Sequence, residues 1–216
     1  MFDIKRAIAL QKKLAERVIS ELNDFPRLSD NDIRFVAGVD AAYYKGEAYG
    51  VAVLIDYLSK NLVTYSIVKK KPPIPYIPGL LAFREAPAYI AALKRLPKAP
   101  DVIMVDGHGL AHPRALGIAT HIGLVLDKPS IGVAKKKLYG LIKIEGDSKY
   151  IYAHGKKIGV IIDHRGHELY VSIGYKIRLE DAVRITKNLL DPDHKLPIPT
   201  SIADHISKKI THKRRK

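Results

Sequence analysis

The sequence predicts an α/β protein whose mixed sheet is flanked by helices. Three apolar runs near the start, at residues 35–39, 48–55 and 62–68, are separated by short loops, which favours antiparallel neighbours. Later apolar runs alternate with helical patterns, as is typical of parallel strands joined by helical crossovers. With 216 residues, 47% of them hydrophobic, the chain is long enough to bury a full core.

The elements follow in a definite order. Apolar residues recur at helical spacing behind Asp3, so the chain is predicted to begin with an amphipathic helix. The predicted strands are apolar runs bounded by turn residues, at 35–39, 48–55, 62–68, 102–105, 130–133, 159–162 and 169–173. Helical patterns occupy 81–96, 114–126, 179–190 and a last segment that Thr200 is expected to cap. This order is that of a ribonuclease H-like sheet, in which the first and fourth strands are adjacent and parallel.

Composition limits the number of domains and the class of partner. No long flexible linker divides the chain, so we expect a single domain over residues 1–207 and a basic C-terminal tail over 208–216. The formal net charge of +15 favours nucleic acid as a partner, although an excess of lysine also serves solubility alone. No apolar run is long enough to span a bilayer, and the start lacks the apolar centre of a signal peptide. We therefore expect a cytoplasmic protein, a monomer without a membrane partner.

Cysteine is absent, which excludes disulfides, thiolate catalysis and cysteine-type zinc sites. Any bound metal must therefore be held by oxygen or imidazole ligands.

Two aspartates follow apolar runs that are predicted to lie side by side. Asp40 ends the first predicted strand and Asp106 ends the fourth. Each has an ordinary interpretation as a turn former or helix cap. If the two strands are adjacent, however, the carboxylates repel one another unless a cation lies between them, and open oxygen sites favour Mg²⁺ or Mn²⁺. Metal-assisted phosphodiester hydrolysis is the chemistry that follows, with Glu85 as a third candidate carboxylate.

A proline-rich segment is the second unusual feature. Prolines at 72, 73, 75 and 78 exclude a sheet interior and predict a stiff loop with Tyr76 at its apex. An exposed ring beside lysines suits insertion into a nucleic-acid stack, whereas a ring packed on the domain is the alternative. The lysine run at 135–137 is typical of a solvated surface, so only Lys135, nearest the strand, is a candidate for function.

Several long motifs together resemble the endonuclease V family of deoxyinosine 3′ endonucleases. They are GVD, PYIPGLLAFRE, DGHGLAHPRALGIA, IGVAKKKLYG and PIPTSIAD, spread over about residues 35–204. The resemblance implies a ribonuclease H-like fold, Mg²⁺ dependence with Mn²⁺ as a substitute, and binding of damaged DNA containing deoxyinosine. It implies incision at the second phosphodiester bond 3′ to the lesion, leaving a 3′-hydroxyl and a 5′-phosphate.

The resemblance also implies roles for residues that match the family motifs. Asp40 and Asp106 correspond to metal-binding aspartates, Glu85 to the catalytic glutamate that completes the metal site, Lys135 to a catalytic lysine, and Tyr76 to the wedge that fills the gap left by a flipped base. Relatives carry either His or Asp at position 204, so Asp204 is the expected catalytic residue and His205 the alternative. Many relatives have DGQG where this chain has DGHG, so no role is carried over to His108.

The same motifs imply a base pocket. Its predicted members share short or absent side chains, or lie beside such residues, and are Gly79, Gly107, Gly109, His112, Gly117 and Leu138. The backbone of a glycine can accept a hydrogen bond from the N1–H of inosine with its C=O group and donate one to O6 with its N–H group. Two other functions stay open: an endonuclease for inosine-containing single-stranded RNA, and a non-catalytic nucleic-acid-binding protein.

Overall fold

A computed structural model describes residues 2–213. Its nine strands form one mixed sheet in the order β3-β2-β1-β4-β5-β9-β8-β7-β6. The strands are β1 (Phe35–Tyr44), β2 (Glu47–Asp56), β3 (Leu62–Lys70), β4 (Val102–Asp106), β5 (Ser130–Ala134), β6 (Leu141–Glu145), β7 (Ser148–Ala153), β8 (Lys156–His164) and β9 (His167–Tyr175). The helices are α1 (Ile4–Glu21), α2 (Leu81–Leu93), α3 (Ile118–Leu126), α4 (Leu179–Asn188) and α5 (Ile198–Lys213).

The predicted mixed sheet is confirmed. Strands β1, β2 and β3 form an antiparallel meander, and β1–β4 and β4–β5 are parallel pairs. The expected adjacency of the first and fourth strands is thus correct. The remaining strands, β9 to β6, extend the sheet as a second antiparallel meander.

The two faces of the sheet bury different cores. On β1, odd-numbered side chains such as Ala37 and Val39 pack with α2 and α3, whereas Val36 lies in the cluster on the other side. Residues Val51 and Val53 of β2 face α5. Since Asp40 pairs with Val51 in the β1–β2 register, Asp40 lies on the α5 face.

Two helix boundaries differ from the prediction. Helix α3 begins at Ile118 and not near Arg114, because residues 107–117 form a loop closed by bonds such as that from the Gly117 N–H to the Gly109 carbonyl, 3.0 Å. Helix α5 begins at Ile198, so Thr200 is not its cap: the Thr200 hydroxyl donates to the Pro197 carbonyl instead. Pro199 is tolerated because the first turn needs no N–H donor there.

The C-terminal tail expected from residue 208 does not begin there. Helix α5 runs without a break through Lys213, so residues 208–213 belong to the folded domain, and residues 214–216 lie outside the described part. The helix continues because Ile210 still packs on the β2 cluster. No helix in residues 2–213 is long and apolar enough to cross a bilayer.

Candidate active site

Adjacent strands β1 and β4 bring Asp40 and Asp106 side by side. Asp106 ends β4 as predicted, but Asp40 lies within β1, because that strand stays paired with β2 as far as Tyr44, so the prediction that Asp40 ends its strand is wrong. The parallel register pairs Val39 with Val105, so the aspartates occupy the next position on each strand. Both side chains point to the same face because residues at matched positions of neighbouring strands share a face. The structure therefore brings together the two aspartates that the sequence singled out.

Helix α5 lies directly on this face. A Cβ on Gly38 would stand 2.1 Å from the Pro199 carbonyl oxygen, so glycine is needed for the close approach of β1 and α5. Farther along α5, the hydroxyl of buried Ser207 donates to Asp40 Oδ2. Burial raises the pKa of Asp40, the Ser207 hydrogen bond partly opposes that rise, and the charge of Asp106 adds to it.

Glu85 approaches from α2, which packs on the opposite face. Its two carboxylate oxygens accept hydrogen bonds from the hydroxyls of Tyr43 and Tyr89, each 3.1 Å long. Burial raises the pKa of Glu85 to about 7; the two tyrosine bonds oppose the rise and the charge of Asp40 contributes to it. The tyrosines hold the carboxylate in one orientation, near the charge of Asp40.

Lys135 lies just beyond β5, among the acidic groups. Its Nζ donates to Asp106 Oδ2 at 2.7 Å and lies 3.5 Å from Asp204 Oδ1. Burial lowers the pKa of Lys135, but the Asp106 hydrogen bond and the charges of Asp106, Asp204 and Asp40 outweigh it, so the net shift is upward. Lys135 is thus held as a cation facing three carboxylates.

Asp204 faces the site and His205 does not. Asp204 pairs with Lys135 and, at 2.6 Å, with Lys208 one turn later on α5. His205 is exposed to solvent. Positions 204, 207 and 208 share a side of the helix, and position 205 is turned about 100° away from 204. His205, the alternative left by the sequence, is therefore wrong as a member of this cluster.

The donor set suits a hard cation. In the part of the chain that the structure describes, no three acidic, histidine or cysteine side chains form a ready-made metal site. Mg²⁺, however, often takes only one or two carboxylates and completes its shell with water and phosphate. Asp40 and Asp106 supply oxygen ligands. Burial is the main cause of the raised pKa of Asp40 and the charge of Asp106 adds to it, and a cation between the two carboxylates would offset both effects. These two residues, with Glu85 nearby, fit Mg²⁺ or Mn²⁺.

Tyr76 stands on the surface at the apex of the proline-rich loop. Its side chain is 65% exposed, so the alternative that the ring packs against the domain is wrong. The loop itself is firmly held, because Ile74 and Leu80 are buried against α1 and the Ile74 carbonyl accepts a 2.6 Å bond from Arg84. An exposed ring on a fixed loop is available for stacking.

A buried polar network anchors the far end of this loop. The Gly79 carbonyl accepts bonds from Gln11 of α1, at 3.0 Å, and from the Arg114 guanidinium, at 2.6 Å. Arg114 also donates to the Gln11 side chain. Gly79 has a φ of +77°, and a Cβ there would meet Arg114 at 2.3 Å. The network joins the Tyr76 loop to the loop that follows β4.

Three of the predicted base-pocket glycines are closely packed in the loop after β4. The N–H groups of Gly107, Gly109 and Gly117 donate to the Val133 carbonyl, the Ser172 hydroxyl and the Gly109 carbonyl, respectively. A Cβ on Gly109 would be 2.0 Å from the Ile173 carbonyl oxygen. These three N–H groups therefore already have protein acceptors, and contact between the predicted pocket glycines and a base stays a prediction.

Leu138 borders a different cavity, and His112 contacts one of the residues that line it. His112 is buried, and burial together with the charge of Arg114 lowers its pKa to about 4, so it is neutral. Its carbonyl contacts His154 Nε2 at 3.0 Å. His154 stacks on Tyr139, and both line a 710 Å³ cavity together with Leu138. Leu138, one of the predicted pocket residues, therefore borders an open cavity.

Sequence reasoning missed several residues of the site. Ser207 lies three residues after Asp204, a spacing that would have revealed it on a helix. Tyr89 lies four residues after Glu85, with the same signal. Gln11 and Arg114 gave no signal, because their partners are backbone groups distant in sequence.

The fold and the site together define a class: a ribonuclease H-like α/β protein in which carboxylates and a lysine gather around the carboxyl ends of β4 and β5, next to Asp40 of β1. In such sheets this is where ligands bind.

Comparison with known proteins gives the family. The Endonuclease V family profile matches residues 12–205. Endonuclease V of Desulfurococcus amylolyticus is 57% identical over 208 residues, covering 96% of this chain and 95% of that protein. The crystal structure of Endonuclease V from Streptomyces avermitilis superposes with a TM-score of 0.87 at 32% identity, covering 100% of this chain and 96% of that one.

A third similar structure contains nucleic acid. It is Ciona intestinalis Endonuclease V in complex with a 23mer DNA containing an inosine followed by a ribo-adenosine; it has a TM-score of 0.83 and 26% identity, and the match covers 99% of this chain and 100% of that one. The chain belongs to the Endonuclease V family and is therefore a nuclease.

Proposed function

We propose that this protein is a Mg²⁺-dependent endonuclease that binds DNA containing deoxyinosine and hydrolyses the second phosphodiester bond 3′ to the lesion. The observation that carries the proposal is the cluster at one sheet edge, where Lys135 contacts Asp106 and Asp204 while Asp40 lies alongside. Family membership and the inosine-containing DNA bound to the Ciona relative support this substrate.

The residues divide the work by their chemistry. Asp40 and Asp106, with Glu85, would hold the cation, which when bound makes a water more acidic and neutralises phosphate charge. The ammonium of Lys135 offers a donor to a phosphate oxygen once the strand enters between it and the aspartates. Water then adds to phosphorus and the bond to the 3′ oxygen breaks, leaving a 3′-hydroxyl and a 5′-phosphate.

Recognition of the lesion is assigned to Tyr76 and the cavity beside Leu138. Extruding a base costs a few kcal/mol, and less for a weakly paired base such as inosine. Tyr76 is exposed and fixed, as a ring that replaces the lost stacking partner must be. The 710 Å³ cavity has room for a purine, and the Tyr139–His154 stack on its wall offers an aromatic surface.

A second candidate is cleavage of inosine-containing RNA. The Ciona relative binds a strand in which a ribo-adenosine follows the inosine, so a 2′-hydroxyl on the 3′ side is compatible with this fold. The catalytic cluster is the same for either backbone.

The test is a denaturing-gel nicking assay on matched duplexes with and without one deoxyinosine, in Mg²⁺ and in EDTA, beside an inosine-containing RNA. We expect Mg²⁺-dependent incision of the deoxyinosine duplex only, displaced to the 3′ side of the lesion. Asp106→Ala should retain binding and lose cleavage. Cleavage of RNA alone would show that RNA and not DNA is the substrate. Tight binding without any cleavage would overturn the proposed enzymatic activity.

Metal binding is tested separately by thermal unfolding without nucleic acid. Mg²⁺ should raise the melting temperature of the wild type, because a ligand of the folded state stabilises it, and should have a smaller effect on Asp40→Asn. Equal effects on both proteins would place the cation elsewhere.

A further inference from the structure

Beyond the catalytic cluster, a lysine-lined groove leaves the active site along β9. It is a 460 Å³ cavity bordered by Lys135, Lys136 and Lys137 on one side and by His167 and Lys195 on the other. Lys135 belongs both to this groove and to the catalytic cluster, so the two are continuous. We call these five residues the lysine groove.

The groove is positively charged, and most of its lysines have no acidic partner among the described residues. Within residues 2–213, no ion pair or hydrogen bond engages the side-chain amines of Lys136, Lys137 or Lys195, and all three side chains are exposed. The one acidic residue of the lining, Glu168, is already neutralised by Lys149 at 2.8 Å and bonded by the Tyr170 hydroxyl at 2.7 Å. Several like charges held around one cavity favour an anion with repeated charges.

The groove also has an apolar floor. Leu169 and Leu196 are buried beneath the lysines and line the same cavity. Amines at the rim and apolar surface at the base match a sugar–phosphate backbone, in which charged phosphates alternate with less polar sugars. The groove also remains clear of the anchors of the Tyr76 loop, which are α1, α2 and Arg114.

The order of sites along the strand gives the groove its polarity. The segment 135–138 lies between two cavities, with Leu138 bordering the proposed base cavity and Lys135 and Lys136 bordering the groove. If the lesion lies 5′ of the bond that is cut, the strand runs from the base cavity across the catalytic cluster into the groove. This step rests on the proposed function.

We infer that the lysine groove binds the phosphates of the incised strand on the 3′ side of the scissile bond. Lys136 and Lys195 would contact phosphates of this strand, and His167 and Lys137 line the same groove. The lysine run that the sequence presented as a solvated surface thereby acquires a binding role.

The experiment measures equilibrium binding of a deoxyinosine duplex in EDTA, where the strand stays intact, over a range of salt concentrations. The test variant is Lys136→Ala/Lys195→Ala. The control is Lys12→Ala/Lys13→Ala, which removes the same charge from the exposed face of α1. Each lost phosphate contact should reduce the slope of log K against log salt by about 0.9, so the test variant should lose roughly 1–2 and the control none.

A second arm locates the contact on the strand. Uncharged methylphosphonates replace phosphates either 3′ or 5′ of the scissile bond. The 3′ substitution should weaken wild-type binding and have little further effect on Lys136→Ala/Lys195→Ala, whereas the 5′ substitution should weaken both proteins equally. Equal salt slopes for test and control variants, or full additivity of the variant with the 3′ substitution, would overturn the inference.

The outcome is separable from that of the proposed function. One outcome is that the wild type cuts neither duplex while the Lys136→Ala/Lys195→Ala variant shows a reduced salt slope on both. That result would support phosphate binding in the lysine groove and reject the proposed reaction. Deoxyinosine-specific incision with unchanged slopes would do the reverse.

Discussion

At the scale of single residues, Asp204 and His205 show how one position decides membership of a site. They are adjacent in sequence, yet Asp204 contacts Lys135 while His205 faces solvent. Ser207, which the sequence analysis did not single out, donates to Asp40 from the same side of α5. Which residues of α5 reach the catalytic cluster is therefore decided by the direction of the side chain on the helix more than by its chemical type.

The pair gives a direct prediction. Asp204→Ala should reduce kcat at least about tenfold, because Lys135 loses one of the carboxylates that hold it toward the scissile phosphate. His205→Ala should leave kcat within about twofold, since the ring touches no member of the cluster. Single-turnover rates on a deoxyinosine duplex measure both; a larger loss in His205→Ala would reverse the assignment.

A half-buried histidine away from the site gives stability a pH dependence. His121 of α3 packs edge-on against Phe83 with ring centroids 5.3 Å apart, and burial lowers its pKa to about 4. In the described part of the chain its buried Nδ1 has no hydrogen-bond partner. The unfolded chain binds a proton near pH 6.5, so stability from the neutral ring is present above that pH and is lost as pH falls toward 4.

His121→Phe should remove this dependence. Between pH 7 and pH 4.5 the wild type should lose on the order of 2 kcal/mol more unfolding free energy than the variant, because phenylalanine has no proton to gain. Urea unfolding at the two pH values is the measurement. His112, whose pKa is also about 4, stays in both proteins and serves as the internal control.

At the scale of elements, loops are fixed by contacts that their own sequences do not reveal. The Tyr76 loop depends on Gln11 and Arg114, each more than 30 residues away in sequence, and the loop after β4 depends on β9. Prolines predicted the stiffness of the first loop correctly. Its exposed apex follows from anchors at both ends.

Tyr76→Ala should weaken binding of a deoxyinosine duplex by about 1–3 kcal/mol if the ring stacks. Tyr76→Phe should bind nearly as well as the wild type, because stacking needs the ring and not the hydroxyl. Fluorescence anisotropy in EDTA gives both affinities. Equal affinity of the alanine variant and the wild type would remove the wedge from the proposal.

The substitution Gly109→Ala tests the packing between the loop after β4 and strand β9. A Cβ 2.0 Å from the Ile173 carbonyl forces β9 and the loop apart, which should cost about 1–3 kcal/mol or more of unfolding free energy. Gly146→Ala is the comparison, because it meets no atom within 4 Å and adds only the strain of its φ of +57°, roughly 1 kcal/mol. Similar losses in both variants would show that the β9 contact yields readily.

At the scale of the whole molecule, α5 joins the catalytic edge to the core. It carries Asp204 and Ser207 on one side and packs Ile206 and Ile210 on β2 residues Val51, Val53 and Ile55. A tail beginning at residue 208 would have been dispensable for folding. The continuous helix makes residues 208–213 part of the structure that holds the site.

Truncation after residue 207 should therefore destabilise the protein by about 1–2 kcal/mol, since it removes the partly buried Ile210. It also removes the Lys208 partner of Asp204. Truncation after residue 213 keeps the helix and is the matched control. The measurement is thermal unfolding of both truncated proteins. Identical melting temperatures would show that residues 208–213 do not stabilise the fold.

The sequence alone determined the mixed sheet, the adjacency of β1 and β4 and the meeting of Asp40 with Asp106, because apolar periodicity and short loops are local signals with few topological solutions. It also determined family membership through long motifs.

Only the tertiary structure showed that Asp204 and not His205 meets Lys135, that the N–H groups of three predicted pocket glycines have protein acceptors, that Tyr76 is exposed, and that the lysines at 135–137 line a groove. Each of these features depends on the direction of a side chain on its helix or on partners distant in the chain. A local sequence pattern reveals neither of these two causes.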